Sequence, residues 1–478
     1  MIADLKPYPA MKDSGLPWLG EVPGHWHFRR TKTLLRERVG KGFPDEPLLA
    51  ATQTKGVVRK DQYENRTVLA LKDLHLLKLV RIGDFVISLR SFQGGIEFAR
   101  EQGIISPAYT VLYPTDPGTH GFLAWLFKSK PYVENLSLYV TGIRQGQNID
   151  YEKISRSAIP LPPLPEQAAI VHFLDHADRR IRRYISAKQK LIKLLEEQKQ
   201  AIIHHAVTRG LNPNVRLKPS GVEWLGDVPE HWELRRLRNM AQVLVSNVDK
   251  HTNANESPVR LCNYVDVYKN ERITEGLSFM RATASPVELE RFRLQAGDVI
   301  ITKDSEEWND IGVPALVEHS APDLVCGYHL AILRPRNGVA LGEYMLRALK
   351  SRGVASQFYV SANGVTRYGL SHGAIKSAFL PVPPLPEQSV IVRFLNEATA
   401  NIITTIDRAQ REITLLREYR IRLIADVVTG KIDVREAAAR LPEAIEEPEA
   451  LDDTDAPAEG DEDNAAGDLD TALEETAT

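Results

Sequence analysis

The string Pro162-Pro163-Leu164-Pro165-Glu166-Gln167 decides the architecture of this chain, and it occurs again as Pro383-Pro384-Leu385-Pro386-Glu387-Gln388. A proline cluster excludes helix upstream, and the last proline suits a first helical turn, where its missing N–H is not needed. The glutamate that follows complements the positive end of a helix dipole. Each string therefore predicts an abrupt change from extended chain to a long helix.

Both strings lead into an apolar repeat. Apolar residues recur at alternating four-and-three spacing over 170–202 and over 391–423, which is the pattern of a coiled-coil seam. Thr208-Arg209-Gly210 and Thr429-Gly430 supply glycine stops. A helix from Pro165 to Val207 would be a rod of roughly 60 Å. The helices could instead pack separately on their own domains, but their matching length and seam favour a mutual, antiparallel coiled coil.

Two further stretches are duplicated in the same order. Ser14–Trp26 (SGLPWLGEVPGHW) recurs as Ser220–Trp232 (SGVEWLGDVPEHW), and Gly83–Ser88 (GDFVIS) recurs as Gly297–Thr302 (GDVIIT). The segments between these landmarks differ in length and sequence. This pattern predicts an internal pseudo-twofold repeat in which two similar frames present two different surfaces.

The landmarks divide the chain into two globular domains in tandem, each followed by a long helix. We place the boundaries at residues 1–155 and 211–376 for the globular domains, 156–210 and 377–440 for the helical spacers, and 441–478 for a tail. Each globular domain mixes short strands and helices, which predicts an α/β (α+β) fold of undetermined topology. The predicted strands are Asp84–Leu89, Ala108–Tyr113, Asp298–Thr302 and Tyr328–Leu333, with helices at Phe122–Lys128 and Glu343–Lys350.

The net charge of −3 hides an uneven distribution. Residues 441–478 hold 15 of the Asp and Glu residues and no Lys or Arg, which leaves 60 basic against 48 acidic residues in the rest of the chain. A tail of this composition, without aromatic residues, is expected to be disordered. The basic body is compatible with an anionic partner such as nucleic acid, although many proteins of this charge bind none.

Several classes of protein are disfavoured by what the sequence lacks. The two cysteines, Cys262 and Cys326, have no neighbouring ligand cluster, which indicates buried free thiols rather than a disulfide framework or a metal site. There is no phosphate-binding loop, dinucleotide fingerprint, nucleophile elbow or zinc-protease motif, so we expect no catalytic residues. No apolar run is long enough to cross a membrane, and we expect a cytoplasmic protein.

Polar residues at equivalent loops of the two halves are the candidates for contacting DNA. Arg suits guanine and Gln suits adenine in the major groove, and both follow a predicted strand in a glycine-containing turn, Arg90–Gly95. Similar groups occur just before the first proline string and at matching places in the second half. The candidates are Arg90, Ser91, Gln93, Arg144, Gln145, Gln147, Lys303, Asn363, Arg367 and Tyr368. For each one alone, a solvated loop side chain is the competing interpretation.

The whole arrangement resembles the specificity subunits of type I restriction-modification systems, called HsdS. The resemblance is carried by Trp18-Leu19-Gly20 with Val22-Pro23 and His25-Trp26, by their copy at 224–232, and by the twin proline strings. Arg90–Gly95 and Ser106-Pro107-Ala108-Tyr109 also match the family. It covers roughly residues 14–435 and leaves the acidic tail outside.

The resemblance implies a non-catalytic subunit with two target recognition domains, each reading one half of a bipartite, asymmetric sequence in double-stranded DNA. The helices would form the spacer and dock two modification subunits. Restriction and translocase subunits would join them, and S-adenosylmethionine, ATP and Mg²⁺ would belong to the partners, with no cofactor or metal in this chain. The implied docking residues are Pro165, Glu166, Gln167, Phe173, Leu174, Pro386, Glu387, Gln388, Phe394 and Leu395.

Two other functions remain open at this point. The duplicated domains could form a protein–protein scaffold with a coiled-coil spacer, which would not bind random duplex DNA. A single-chain nuclease or methyltransferase would require activity from the purified protein alone, and the absence of catalytic motifs disfavours it.

Overall fold

The computed structural model describes residues 5–53, 55–62, 73–89, 91–141 and 148–442. The candidates Arg90, Arg144, Gln145 and Gln147 and the acidic tail from residue 443 lie outside the described residues. The chain forms two compact units, one of Met1–Lys188 with Arg411–Thr478 and one of Gln189–Gln410. This division differs from the tandem boundaries predicted above, because each unit contains part of both long helices.

The first unit contains a four-stranded antiparallel sheet. Its strand order is Leu35–Glu37, Thr110–Pro114, Phe85–Ile87, Glu97–Phe98, and Val111 lies opposite Val86. The other strands are Met11–Asp13, Glu21–Pro23, His27–Arg30, Leu49–Thr52, Gly56–Arg59, Lys78–Val80, Gly103–Ile105, Val140–Thr141, Asn148–Ile149 and Ala158–Leu161. The helices and 3₁₀ turns are Thr31–Leu34, Lys60–Gln62, Leu74–Leu76, Ser91–Gly94, Pro117–Thr119, His120–Lys128, Lys130–Leu136, Ser137–Tyr139, Tyr151–Arg156 and Arg435–Ala439.

The second unit repeats this sheet and extends it by one strand. The order is Ala241–Val245, Leu330–Pro335, Val299–Thr302, Pro314–Val317, Arg272–Ile273, and the last pair is parallel. The other strands are Leu217–Pro219, Asp227–Pro229, Glu233–Arg236, Ser257–Cys262, Met280–Ala284, Asp304–Ser305, Leu324–Cys326, Tyr368–Gly369 and Phe379–Val382. The helices are Leu237–Met240, Tyr264–Lys269, Pro286–Phe292, Gly342–Lys350, Arg352–Ser361 and His372–Ser377. The matching strand order confirms the predicted repeat and the mixed α/β class.

The duplicated Gly-Asp turn has the same role in both sheets. Asp84 is buried and accepts two hydrogen bonds from the Arg38 guanidinium, at 2.6 and 2.9 Å. Asp298 is equally buried and accepts two from Arg334, at 2.9 and 2.8 Å. A buried carboxylate needs such a bidentate partner because desolvation of an unpaired charge is costly. The repeat therefore preserves an ion pair inside each sheet as well as a turn.

A second pair of strands joins each tryptophan motif to its proline string. His27–Arg30 pairs antiparallel with Ala158–Leu161, and Glu233–Arg236 pairs in the same way with Phe379–Val382. Because the tryptophan precedes one strand and the proline string follows the other, antiparallel pairing brings the two motifs to the same end. The two duplicated motifs of each half of the chain thus meet in space.

The long helices begin and end where the sequence predicts. The first runs from Leu164 to Arg209 and the second from Leu385 to Val428. Gly210 and Gly430 follow their ends with φ of 75° and 74°, the left-handed conformation that glycine adopts without strain. The proline of each string occupies the second helical position, where no backbone hydrogen bond is lost.

The seam predicted over 170–202 and 391–423 is wrong at four positions. Tyr184, Leu191, Gln198 and Thr405 occupy predicted seam positions and are exposed. Ile185 is buried next to Tyr184, and Ile406 and Ile413 are buried next to Thr405 and Glu412. Ile402 and Ala409 are buried as predicted, so the second seam departs from the prediction by one residue at single positions and keeps its overall register.

The two helices run antiparallel within each unit. In the first unit, Asp178 pairs with Arg420 and Lys188 pairs with Glu412 at 2.7 Å, so moving forward along one helix matches moving backward along the other. In the second unit, Ile203 and Val207 share one core cluster with Leu395 and Ile391. The antiparallel coiled coil predicted from the two seams is therefore confirmed.

Three further predictions from the sequence concern the two thiols, membrane-spanning helices and metal sites. Cys262 and Cys326 are buried free thiols that lie opposite each other on neighbouring parallel strands. Among the described residues, no helix is long and apolar enough to cross a membrane. Nor do the described residues contain a group of three or more His, Cys, Asp or Glu side chains arranged to hold a metal ion.

Candidate nucleic-acid interface and helix joints

The first tryptophan motif binds the start of the first long helix through Glu166. This carboxylate is only 5% exposed and accepts hydrogen bonds from Trp26 Nε1 at 2.8 Å and Tyr8 Oη at 2.6 Å. His25 Nε2 lies 2.7 Å from its other oxygen. Burial and the Glu166 carboxylate together raise the pKa of Tyr8, which keeps the phenol protonated as a donor. Glu166 thus locks the globular domain to the helix end.

The second joint uses the same residues with fewer bonds. His231 Nε2 lies 2.9 Å from Glu387 Oε2, and the Glu387 side chain is 31% exposed. Trp232 is fully buried, but its Nε1 has no hydrogen-bond partner among the described residues. The Trp–Glu hydrogen bond of the first joint is therefore not made in the second.

The glutamine of each string closes the turn that precedes its helix. Gln167 Nε2 donates to the carbonyl oxygen of Pro162 at 2.8 Å, and Gln388 Nε2 donates to that of Pro383 at 2.9 Å. Both glutamines are buried. A carbonyl in a proline-rich segment has few backbone donors nearby, because proline has no N–H. In each string, the glutamate therefore attaches the helix to the tryptophan motif, and the glutamine supplies a hydrogen bond to a proline carbonyl.

Each glycine that follows a long helix packs against a tryptophan motif. A Cβ added to Gly430 would lie 2.3 Å from Pro23 Cδ, and one added to Gly210 would lie 3.2 Å from the Trp232 ring. Only glycine allows the backbone to approach this closely at a positive φ. In the first unit the helix that ends at Val428 thus returns to the domain formed by the start of the chain.

The predicted docking residues fall into two groups. Buried in their own units are Glu166, Gln167, Phe173, Leu174, Gln388 and Leu395, and Glu387 is half-buried. Pro165 and Pro386 are exposed, and Phe394 is 40% exposed beside exposed Val390. Only the exposed group can contact another molecule without rearrangement. A groove of about 540 Å³ lies on the same face of the second unit, lined by Leu341, Val392 and Arg393 among others.

Lys303, at a strand end in the second unit, lies in a polar cluster. Its ammonium lies 4.8 Å above the ring centre of Tyr328 and 3.4 Å from Asp304. Asp304 Oδ2 lies 2.7 Å from His329 Nδ1. The cation over an aromatic face is a favourable contact that holds Lys303 in place. Because Lys303 directly follows the central strand Val299–Thr302, this cluster lies at the edge of the sheet that is formed by the strand ends.

The other three candidates of the second unit are carried on one loop beside this cluster. Asn363 and Gly369 exchange two backbone hydrogen bonds, of 3.1 and 2.9 Å, that close the loop. Tyr368–Gly369 pairs with Asp304–Ser305, which fixes the loop against the strand end. Arg367 is exposed, whereas the Asn363 side-chain amide donates to the Ser361 carbonyl. The structure therefore brings Lys303, Arg367 and Tyr368 to one edge.

Besides Tyr368, this edge has further aromatic residues that were not predicted as site residues. Tyr264 and Tyr268 stack with ring centres 5.4 Å apart, and Trp308 contacts Tyr359 edge to face. Tyr328 and Trp308 are each about half exposed. Exposed aromatic faces suit stacking and apolar contact with bases. The four-residue spacing of Tyr264 and Tyr268, directly after a strand, was the available signal.

In the first unit, only two of the candidates lie within the described residues. Ser91–Gly94 forms a single helical turn rather than the flexible glycine turn expected. Ser91 is buried, and its Oγ accepts a hydrogen bond from the Ser88 N–H at 2.8 Å, so its hydroxyl has a structural role. Gln93 is exposed and makes a 3.4 Å contact with Gln53. Gln93 is thus the accessible candidate of the pair.

Part of the chain matches the model of a known protein family. Residues 229–415 match the family model for the type I restriction modification DNA specificity domain. The chain is 24% identical over 185 residues to the putative type I restriction enzyme MjaX specificity subunit of Methanocaldococcus jannaschii, covering 38% of this chain and 43% of that protein. It is 23% identical over 328 residues to the EcoKI specificity subunit of Escherichia coli K12, covering 67% and 68%.

A solved structure extends the fold likeness to most of the chain. The chain described under "complex assembly and conformational transition of the type I R-M system" has a TM-score of 0.60 and 16% identity, covering 85% of this chain and 98% of that chain. At this identity, the similarity shows the fold alone. The family match to residues 229–415 shows that this part of the chain resembles a DNA specificity domain. The chain as a whole is similar to the specificity subunits of type I restriction-modification systems, and it spans less than half the length of the MjaX subunit.

Proposed function

We propose that this chain is the DNA-recognition subunit of a type I restriction-modification complex. Each globular domain reads one half of a bipartite, asymmetric sequence, and the paired long helices set the spacing between the halves. The observation that carries the proposal is the duplicated joint, in which His25 and Trp26 bind Glu166 and His231 binds Glu387. A globular domain attached by a duplicated joint to a long helix is suited to setting a distance as well as reading a sequence.

Recognition in the second domain is assigned to the edge formed by Lys303, Arg367 and Tyr368. An exposed guanidinium suits bidentate contact with guanine, and an ammonium suits phosphate or guanine. Lys and Arg contacts with phosphates supply most of the affinity, so binding weakens steeply with salt. In the first domain the same function falls to Gln93, together with Arg90, Arg144, Gln145 and Gln147.

Chemistry is assigned to partner subunits. Two modification subunits dock on the helical spacer and supply S-adenosylmethionine for adenine methylation, and restriction subunits supply ATP- and Mg²⁺-dependent translocation and cleavage. The exposed residues Pro165, Pro386 and Phe394 are the proposed contact points on this chain. A cytoplasmic location is part of this proposal, because the complex would act on DNA inside the cell.

Methylome sequencing tests the proposal directly. The chain is expressed with its modification subunit in a host without adenine methylation, and modified bases are mapped genome-wide. We expect N6-methyladenine within one bipartite motif, and none in cells that carry the modification subunit alone. A modification pattern without a bipartite motif, or one independent of this chain, would contradict the proposal. A scaffold would assemble with partners yet show no salt-dependent binding to duplex DNA in a filter assay.

A further inference from the structure

A groove of about 240 Å³ lies between the two long helices of the first unit. The first helix contributes Phe173, His176, Arg180 and Tyr184, and the second contributes Tyr419. Leu441, close to the end of the described residues, forms part of its wall. The groove therefore lies at the point where the chain leaves the folded unit.

The floor of this groove is apolar and its rim is cationic. Phe173 is buried, whereas Tyr184 is half exposed at the rim. Arg180 contacts only Tyr184 among the described residues, at 3.5 Å from its hydroxyl and 5.8 Å above its ring. An arginine is ordinarily paired when a carboxylate is within reach, because the planar guanidinium offers several donors. Arg180 thus presents unused donors to the groove.

The histidine in the groove reports the same positive potential. Burial lowers the pKa of His176, and the charges of Arg179, Arg180 and His172 lower it further. Arg180 lies in the same groove as His176, so its guanidinium is close enough to disfavour a second positive charge on the imidazole. The groove is therefore a site where a negatively charged ligand gains electrostatic energy.

Tyr419 adds a polar group that has no partner. Its hydroxyl is buried and makes no hydrogen bond among the described residues. A buried hydroxyl that makes no hydrogen bond lowers the stability of the folded chain. A ligand that accepts a hydrogen bond from this hydroxyl would recover that free energy. Together, Arg180 and Tyr419 provide donors on opposite walls of one groove.

The chain itself carries a segment of matching chemistry at the rim. Directly after Leu441-Pro442 comes Glu443-Ala444-Ile445-Glu446-Glu447-Pro448-Glu449, which has four carboxylates, one isoleucine and no positive charge. All 15 Asp and Glu residues beyond position 440 belong to residues 443–478. A segment tethered this close to its site has an effective concentration on the order of millimolar, so even weak contacts keep it bound.

We propose that the acidic segment Glu443–Glu449 binds this groove within the same chain. Its carboxylates form ion pairs with Arg180 and accept a hydrogen bond from the Tyr419 hydroxyl. Ile445 covers the apolar floor of the groove. The bound segment neutralises the cationic face of the paired helices and withholds it from other anionic partners, DNA included. This assignment is independent of which DNA sequence the globular domains read.

A photo-crosslinking experiment on the full-length chain tests the proposal. Tyr184 is replaced by the photoreactive p-benzoylphenylalanine, and crosslinked peptides are mapped by mass spectrometry. We expect an intramolecular crosslink to residues 443–449. Arg180→Glu should reduce its yield at least fivefold, whereas Lys193→Glu, an exposed charge reversal on the same helix outside the groove, should leave it unchanged. Crosslinks should also decline in 0.5 M salt, where charges are screened.

A second variant keeps the groove intact. Replacing Glu443, Glu446, Glu447 and Glu449 by glutamine removes the proposed charges without touching a described residue, and it should reduce the crosslink to the same extent. Crosslinks between two copies of the chain, crosslinks to other segments only, or equal yields in the Arg180→Glu and Lys193→Glu variants would each overturn the proposal.

Discussion

Trp26 Nε1 donates a 2.8 Å hydrogen bond to Glu166 Oε1, whereas its duplicate Trp232 has a buried Nε1 without a partner among the described residues. The difference follows from the residues around each carboxylate. Tyr8 is buried over Glu166, but the position equivalent to Tyr8 holds Asn214, which is exposed. Glu387 is consequently more solvated and keeps only its histidine contact. The two joints have the same sequence motif and unequal strength.

Replacement of Glu166 should therefore destabilise the first unit strongly. Glu166→Ala leaves the buried donors of Trp26 and Tyr8 unpaired, and we expect a loss of about 3 kcal/mol in the free energy of unfolding. Urea unfolding followed by tryptophan fluorescence measures this. The matched variant Glu387→Ala should cost less than about 1 kcal/mol, because an exposed ion pair contributes little. Equal losses in the two variants would show that the joints are equivalent after all.

The antiparallel pairing of the helices predicts a specific energetic coupling. Asp178→Asn and Arg420→Gln should each destabilise the first unit, and the double variant should be less destabilised than the sum, with a coupling of about 1 kcal/mol. A double-mutant cycle by chemical denaturation measures it. Arg422→Gln, an exposed change on the same helix, serves as the control and should show no coupling to Asp178. Coupling to Arg422 but not Arg420 would contradict the register.

Shortening both helices should change the spacing of the proposed half-sites. From the sequence alone, the deletion would remove the matching heptads Lys188–Leu194 and Ala409–Leu415, which occupy the same position in the two helices. The Lys188–Glu412 pair identifies Ile406–Glu412 as the segment facing Lys188–Leu194, so deleting these two preserves the pairing. Each helix becomes about 10 Å shorter, or roughly three base pairs of B-DNA.

Methylome sequencing of this deletion variant should show both half-site sequences unchanged and the gap between them reduced. Deleting only one of the two segments breaks the register and should abolish methylation, which provides the control. An unchanged gap in an active double-deletion variant would exclude the helices as the ruler.

Residues at the edge of the second unit should control one half of the motif only. Arg367→Ala is expected to relax one position of one half-site, because loss of a bidentate base contact costs about 1–3 kcal/mol of discrimination. Lys303→Ala should act on the same half-site. Arg216→Ala, an exposed change elsewhere in the unit, should leave the motif intact. Relaxation of both half-sites by Arg367→Ala would refute the assignment of one domain to each half.

The two thiols should be unreactive in the folded protein. Cys262 and Cys326 are buried, and burial raises the pKa of both thiols, so little thiolate exists at pH 8. In buffer, labelling of the thiols with a chromogenic disulfide should therefore be as slow as unfolding of the protein. In denaturant, both thiols should be labelled at once. The Cys262→Ala variant should have one thiol, which is labelled slowly in buffer. Rapid stoichiometric labelling of the native chain would contradict this description of the second core.

Patterns with a local physical cause were predicted correctly. Proline strings start both long helices and glycines end them, because these residues restrict or extend the backbone wherever they occur. Duplicated landmarks predicted two equivalent sheets. The seam positions at Tyr184 and Thr405 were wrong, because an isoleucine next to each of them is buried instead.

By itself, the sequence determined the internal repeat and the limits of the helices, because these depend on residue order and composition. Tertiary structure alone decided that Glu166 is bound by three side chains and Glu387 by one, because the donors of Glu166 come from segments 140 to 158 positions away in the chain. It also decided that Lys303, Arg367 and Tyr368 share an edge. Contacts between distant segments depend on packing, which residue order does not specify.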